Sequence, residues 1–251
     1  AQKELIEPAL QGTRNVLNAV NDSDSVKKVV LTSSVVAIYG DAQDQHDDNI
    51  EKLTEEHWNT TSTENHQTYA LSKTLAEKEA WKIADAQDRW QLLTINPGFV
   101  MGPSLTNRKD STSIDTILSF LNGKYASGIP DLMYGIVDVR DVAEAHIKAA
   151  ELDRAKGRHI LVNESKRFIE LAEILKKQFP QYKLPKSNLP KFLLYIVGPF
   201  LGFSWKFINR NVGVPLYFDN SWTKSNLDMD FIPLEQTMKG MVESMQEHGH
   251  I

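Results

Sequence analysis

The run Val26-Lys27-Lys28-Val29-Val30-Leu31, ending in Thr32-Ser33-Ser34, is short and rich in β-branched residues. It reads as a buried strand that stops at a polar triplet. Upstream, Leu5, Ile6, Ala9, Leu10, Val16, Leu17 and Val20 recur at helical spacing, so an amphipathic helix precedes the strand. Pro8 is tolerated only in the first turn of that helix or at a kink. Asn21-Asp22-Ser23-Asp24-Ser25 ends the helix with turn chemistry. Downstream, residues 41–66 are polar and aperiodic, with Asp44, Asp47, Asp48, Glu51, Glu55 and Glu56, and read as a solvated loop.

A second helix is expected over 68–85, where Ala70, Leu71, Leu75, Ala76, Ala80 and Ile83 mark the apolar side. A strand follows over 91–95, closed by Asn96-Pro97-Gly98, and a third strand is expected over 159–162. Further helices are expected over 114–121, 138–152, 168–179 and 234–246. Strands alternating with helices imply βα units, an α/β fold with a parallel sheet. Ligands of such sheets bind beyond the carboxyl ends of the strands, which places Ser33-Ser34 and Asn96-Pro97-Gly98 on the functional edge.

The 251 residues carry a formal net charge of −5, with 41% hydrophobic and 24% charged side chains. That composition is globular, and too apolar for a disordered chain. With no basic excess to neutralise phosphates, a general nucleic-acid binder is not expected. The absence of cysteine removes disulfides, thiolate metal sites and cysteine nucleophiles. The seven histidines are scattered, so no metal site is expected. The most apolar stretch, 192–205, is interrupted by Gly198 and Pro199 and is too short for a stable membrane span. It reads as a buried or partly buried helix pair, or else as an apolar lip beside a substrate or an interfacial helix. No signal peptide is recognised, and a cytoplasmic location is expected.

Tyr69 and Lys73 lie four apart on a helix and so share a face. A cation beside a phenol favours the phenolate and lowers the tyrosine pKa, which suits proton exchange with a carbonyl or alcohol. A nearby serine hydroxyl could polarise the same oxygen. The spacing alone is weakly specific, since Tyr182 and Lys186 repeat it. That second pair encloses Pro185 and cannot lie on a regular helix.

Several stretches occur together in order. They are Val29-Val30-Leu31-Thr32-Ser33-Ser34, Tyr69-Ala70-Leu71-Ser72-Lys73, the run Asn96-Pro97-Gly98-Phe99-Val100-Met101-Gly102-Pro103, and Asp138-Val139-Arg140-Asp141-Val142-Ala143. Gly12-Thr13-Arg14-Asn15-Val16-Leu17 precedes them. In this order the chain resembles the extended short-chain dehydrogenases/reductases, most closely their dihydroflavonol-reductase-like branch of aldehyde and methylglyoxal reductases. The resemblance covers residues 1 to about 165 and is looser beyond.

The resemblance implies a Rossmann-like dinucleotide-binding domain over 1–103 and 136–165. A smaller, mostly helical substrate lobe would comprise 104–135 and 166–251. It implies NADP as cofactor, with NADPH preferred, and a small apolar or aromatic carbonyl substrate. Tyr69 matches the proton donor, Lys73 the residue that lowers its pKa and holds the nicotinamide ribose, and Ser34 the carbonyl-binding serine. Ser33 is its neighbour on the cofactor side, and Pro97, Gly98, Phe99 and Val100 match the turn against the nicotinamide. Asp138, Arg140 and Asp141 are expected to cap and brace a helix, and His146 to be structural.

The family's glycine-rich pyrophosphate turn has no match in this sequence, so the N-terminal βα units are expected to be missing and the chain to be part of a longer protein. Other reactions of the same fold remain open, an epimerase or a hydroxysteroid-type dehydrogenase, as does a non-catalytic dinucleotide sensor. Assembly is expected to be monomer or homodimer, the latter through the helices around 5–20 and 68–85.

Overall fold

A computed structural model describes residues 2–108 and 110–251, which include every candidate site residue. Its strands are β1 (Lys28–Thr32), β2 (Gln91–Pro97), β3 (Phe99–Met101), β4 (Met133–Asp138), β5 (Gly157–Leu161) and β6 (Glu164–Arg167). The main helices are α1 (Glu7–Asn21), α2 (Ala42–Asp47), α3 (Thr68–Ala84), α4 (Thr112–Leu121) and α5 (Val139–Glu151). They continue with α6 (Phe168–Gln178), α7 (Lys191–Val197), α8 (Trp205–Asn211), α9 (Ser221–Leu227) and α10 (Leu234–Glu247). Pro8 falls within the first two positions of α1, where a missing N–H costs nothing.

The chain divides into two compact units, the first comprising 1–98, 142–161 and 218–230. Its sheet is parallel in the order β1-β2-β5, with Val30 opposite Leu93 and Ile95 opposite His159. Side chains alternate across a strand, and that parity sorts the helices. On one face, Val29, Leu31 and Leu92 pack with Leu17 of α1 and with Ala80 and Ala84 of α3. On the other, Lys28 donates to the carbonyls of Ala149 and Leu152, and Thr32 Oγ1 lies 2.7 Å from His146 Nε2 of α5. His146 Nδ1 lies 2.7 Å from Val142 O, so both ring nitrogens are used structurally. Helices therefore cover both faces, the Rossmann-like doubly wound arrangement.

The loop expected over 41–66 is a correction. It contains α2, and it buries Asp41, Gln45, Leu53, Asn59 and His66. The polar residues were legible but their partners were not. Asp41 is fully buried against His66 Nε2 at 2.7 Å, and Glu55 accepts from the Ile160 amide at 3.0 Å. Burial pushes the Glu55 carboxyl above its ordinary value. Gly40 lies under this loop, where an added Cβ would come within 2.3 Å of Thr61 Oγ1.

The second unit comprises 99–141, 162–217 and 231–251. It holds a second three-stranded sheet that no sequence pattern announced, with β4 parallel to β3 and antiparallel to β6. β4 occupies residues 133–138, so the expected helix over 138–152 begins only at Val139. Strands of three to six residues leave too few periods for alternation to show. The core joins Ile117 and Phe120 of α4, Leu171 and Leu175 of α6, and Met238 and Met241 of α10.

His159 of β5 is fully buried, with Nε2 2.8 Å from Asn226 Oδ1 of α9. Burial holds its pKa below the ordinary 6.5, partly offset by the Asn226 contact. The folded state therefore keeps the ring neutral where the unfolded chain would protonate it. Its contribution is complete above pH 6.5 and is lost as pH falls through that value toward the folded pKa. Urea titrations between about pH 7.5 and 5.5 should show the parent losing up to about 1.4 kcal/mol per pH unit more than His159→Gln. Parallel profiles for the two proteins would refute this assignment.

Candidate active site

The carboxyl ends of β1 and β2 and the first two turns of α3 carry the candidate residues of the first unit. Tyr69, Lys73 and Glu77 follow at i, i+4 and i+8, one stripe of α3. Tyr69 opens the stripe and is 58% exposed. Gln67, just before α3, adopts the left-handed conformation at φ 58°, which a residue with a Cβ adopts only at a cost. Its side chain donates to the buried Asp41 at 3.2 Å, tying the start of α3 to the loop beneath.

Lys73 Nζ donates to Thr32 O at 3.2 Å, so α3 delivers an ammonium to the end of β1. Burial lowers the Lys73 pKa, and the charge of Glu77 opposes that shift. Desolvation raises the Tyr69 phenol above its ordinary value of 10. The influence on the Tyr69 phenol here is desolvation rather than Lys73. The lysine engages a carbonyl, and its own charge is disfavoured by burial.

Ser33 and Ser34 separate by strand parity. Ser33 is buried, and its hydroxyl donates to Glu77 Oε2. Ser34 begins a 3-10 turn, Val35–Ala37, and its Oγ accepts from Val36 N at 3.3 Å. Its backbone carbonyl is held by Asn96 Nδ2 at 3.2 Å, which joins the ends of β1 and β2. Pro97 is buried at the end of β2, and Gly98 N donates to Leu161 O at 2.9 Å.

Phe99 and Val100 belong to the second unit. The Phe99 ring lies 5.8 Å from Tyr134 and 6.3 Å from Phe168. Val100 lines a cavity of about 350 Å³ with Gly102, Pro103, Arg108, Ser111 and Met241. In the same unit Asp138 receives Arg140 N at 2.8 Å and Arg140 Nε at 2.9 Å, bracing the start of α5. The Asp138 carboxyl stays below its ordinary value: burial pushes it up, and the hydrogen bonds from Arg140 outweigh that. Asp141 is also buried and accepts from Ile232 N at 3.0 Å.

Glu77 is the member of the site that the sequence reading missed. Besides Ser33, its carboxylate accepts from Asn96 Nδ2 at 2.7 Å, Thr94 Oγ1 at 3.2 Å, Arg158 Nε at 2.6 Å and Trp81 Nε1 at 3.4 Å. Arg158 in turn donates to Glu55 O and His57 O and lies 3.8 Å over the Trp58 ring. Two signals were present. Glu77 continues the Tyr69–Lys73 stripe by one turn, and Thr94 and Asn96 are alternate polar residues in a strand whose other residues after Gln91 are apolar.

Helices on both faces of a parallel sheet, with a serine, tyrosine and lysine at its carboxyl edge, define a Rossmann-like α/β protein. The chain belongs to the NAD dependent epimerase/dehydratase family, whose model matches residues 1–163, and within it to the extended short-chain dehydrogenases/reductases. It is 36% identical over 249 residues to cinnamoyl-CoA reductase CAD2 of Medicago truncatula, covering 98% of this chain and 68% of that protein. A putative NADPH-dependent methylglyoxal reductase of Candida albicans, GRP2, is 32% identical over 253 residues, covering 96% of this chain and 70% of the relative. Among solved structures, Gre2 of Candida albicans in complex with NADPH superposes with a TM-score of 0.75 at 30% identity. That match covers 98% of this chain and 72% of Gre2.

Removing Glu77 would leave Arg158 as an uncompensated buried charge. Glu77→Ala should cost about 3–5 kcal/mol in chemical denaturation. Adding Arg158→Met should recover part of that loss, because the stranded charge goes with it. A cost below about 1 kcal/mol for the single variant would contradict the central place given to this network.

Proposed function

We propose that this chain carries the catalytic residues of an NADPH-dependent reductase of aldehyde or ketone carbonyls, with Tyr69 as proton donor. The observation that carries the reading is the α3 stripe: an exposed Tyr69 one turn from Lys73, whose ammonium is held at the strand end beside Ser34. The reductases among the relatives support it, as does the NADPH complex of Gre2.

The donors present fit a nicotinamide ribose. An ammonium has three N–H groups, and Thr32 O takes one from Lys73. The remaining two suit the paired ribose hydroxyls. Pro97, Gly98, Phe99 and Val100 would lie against the ring, and Gly98 contributes no side chain there. When bound, the nicotinamide would supply the hydride for the carbonyl carbon.

The rest of the chemistry falls to the chain's own residues. Ser34 Oγ already accepts from Val36 N, so its O–H is the group left to donate to a carbonyl oxygen. Tyr69 passes its phenolic proton to that same oxygen. A phenol is protonated at neutral pH, the state reduction requires. Lys73 stabilises the phenolate that remains. Small apolar or aromatic carbonyl compounds are the substrate class, in keeping with the relatives' names.

The test follows NADPH consumption with methylglyoxal, cinnamaldehyde and cinnamoyl-CoA. Tyr69→Phe should lower kcat by about 10²–10⁴, while NADPH affinity measured by fluorescence stays within about threefold, less than one bound hydrogen bond is worth. Undiminished turnover by Tyr69→Phe would remove tyrosine as the donor. NADPH binding without turnover of any carbonyl by the parent would favour a dinucleotide sensor.

A further inference from the structure

The stretch 192–205, read from sequence as a buried or partly buried helix pair, an apolar lip or an interfacial helix, holds most of α7, a 3-10 turn and the first residue of α8, and only its inner side is buried. Leu194 of α7 and Ile208 of α8 are fully buried and pack with Leu132 and Val212. Gly198 presses against this anchor, since a Cβ there would lie 2.7 Å from Ile208 Cδ1. Lys191 closes the base of the pair by donating to Asn209 O and Val212 O. The outer side is apolar and open: Phe192 is 65% exposed, Ile196 64%, Phe200 90% and Trp205 65%. Phe192 and Ile196 are one turn apart on α7, and Phe200 lies in the 3-10 turn that links the helices.

Along the chain, the charge of this segment is one-sided. Every charged residue between Ile174 and Tyr217 is Lys or Arg, in a chain whose net charge is −5. Lys183, Lys186 and Lys206 are exposed, and Lys206 directly follows Trp205. Large apolar groups exposed together mark an interaction surface. Exposed aromatic side chains with a lysine beside them, as Lys206 is beside Trp205, match the headgroup boundary of an anionic bilayer. Among the described residues no helix is long and apolar enough to cross a membrane. The remaining mode is docking in the plane of the interface.

The geometry points to peripheral docking of this helix pair on an anionic lipid surface, with Phe192, Ile196, Phe200 and Trp205 entering the headgroup boundary and the lysines meeting lipid phosphates and carboxylates. Such docking would bring the reductase to carbonyl compounds that partition into membranes.

Flotation of the 251-residue chain with phosphatidylcholine vesicles, with and without about 30% phosphatidylserine, tests this. The protein should float with the anionic vesicles, at least about tenfold more than with neutral ones, and release as salt rises. Phe200→Ser with Trp205→Ser should weaken binding at least about tenfold with an unchanged circular dichroism spectrum, the melt falling only slightly for the lost bond from Trp205 Nε1 to Tyr195 O at 3.0 Å. Lys186→Glu with Lys206→Glu should weaken binding to anionic vesicles alone. The proposal falls if anionic vesicles do not retain the parent, if neutral vesicles retain it equally, or if the Phe200/Trp205 variant binds like the parent. It also falls if sedimentation shows a dimer that this variant dissolves, since a second copy would then be what covers the face.

Discussion

The first unit is organised by one buried carboxylate. Glu77 lies on α3, yet its donors come from the end of β1, the middle and end of β2, and the start of β5. A buried charge is tolerated only when it is paired and its lone pairs are filled. Here one guanidinium and four neutral donors meet that demand. Any slip of α3 along the sheet would break several of these bonds at once. The register of α3 against all three strands is therefore set by electrostatics as much as by packing.

The candidate site inherits its geometry from that constraint. Lys73 is one helical turn from Glu77, so fixing Glu77 under the sheet edge brings the ammonium to the Thr32 carbonyl. Ser33 is consumed by the same carboxylate, and strand alternation then turns Ser34 the other way. Asn96 takes part twice, bonding Glu77 and the Ser34 carbonyl through one amide nitrogen. At the start of α3, a left-handed Gln67 bonded to buried Asp41 sets where the stripe begins. Strained backbone of this kind persists where its surroundings hold it, and it lies here two residues from Tyr69.

The second unit solves a different problem. Its sheet is short, and its interior is filled by Ile117 and Phe120 of α4, Leu171 and Leu175 of α6, and Met238 and Met241 of α10. The Phe99, Tyr134 and Phe168 rings form a continuous cluster, with Tyr134 and Phe168 centred 5.1 Å apart. The α7–α8 pair is attached through few buried residues and presents most of its apolar surface outward. A basic, aromatic face on an otherwise acidic chain is the feature least explained by the needs of folding.

By itself, the sequence determined the alternation of strands and helices, the Tyr69–Lys73 stripe and the strand ends at Ser33-Ser34 and Asn96-Pro97-Gly98. All of these are written in local periodicity and turn chemistry, which neighbours in the chain settle among themselves. The second sheet escaped because β3 has three residues and β6 four, too few to show a period. The 41–66 segment looked solvated because its buried acids find partners more than twenty residues away, as Asp41 does in His66 and Glu55 in Ile160. The return of 218–230 to the first unit, held by Thr223 on Ile160 and Asn226 on His159, had no local signal either. Only the tertiary structure decided which serine turns inward, where the Lys73 charge rests and in which direction the Tyr69 pKa moves. Each depends on desolvation and on partners brought together by the fold, and neither is encoded in the spacing of residues along the chain.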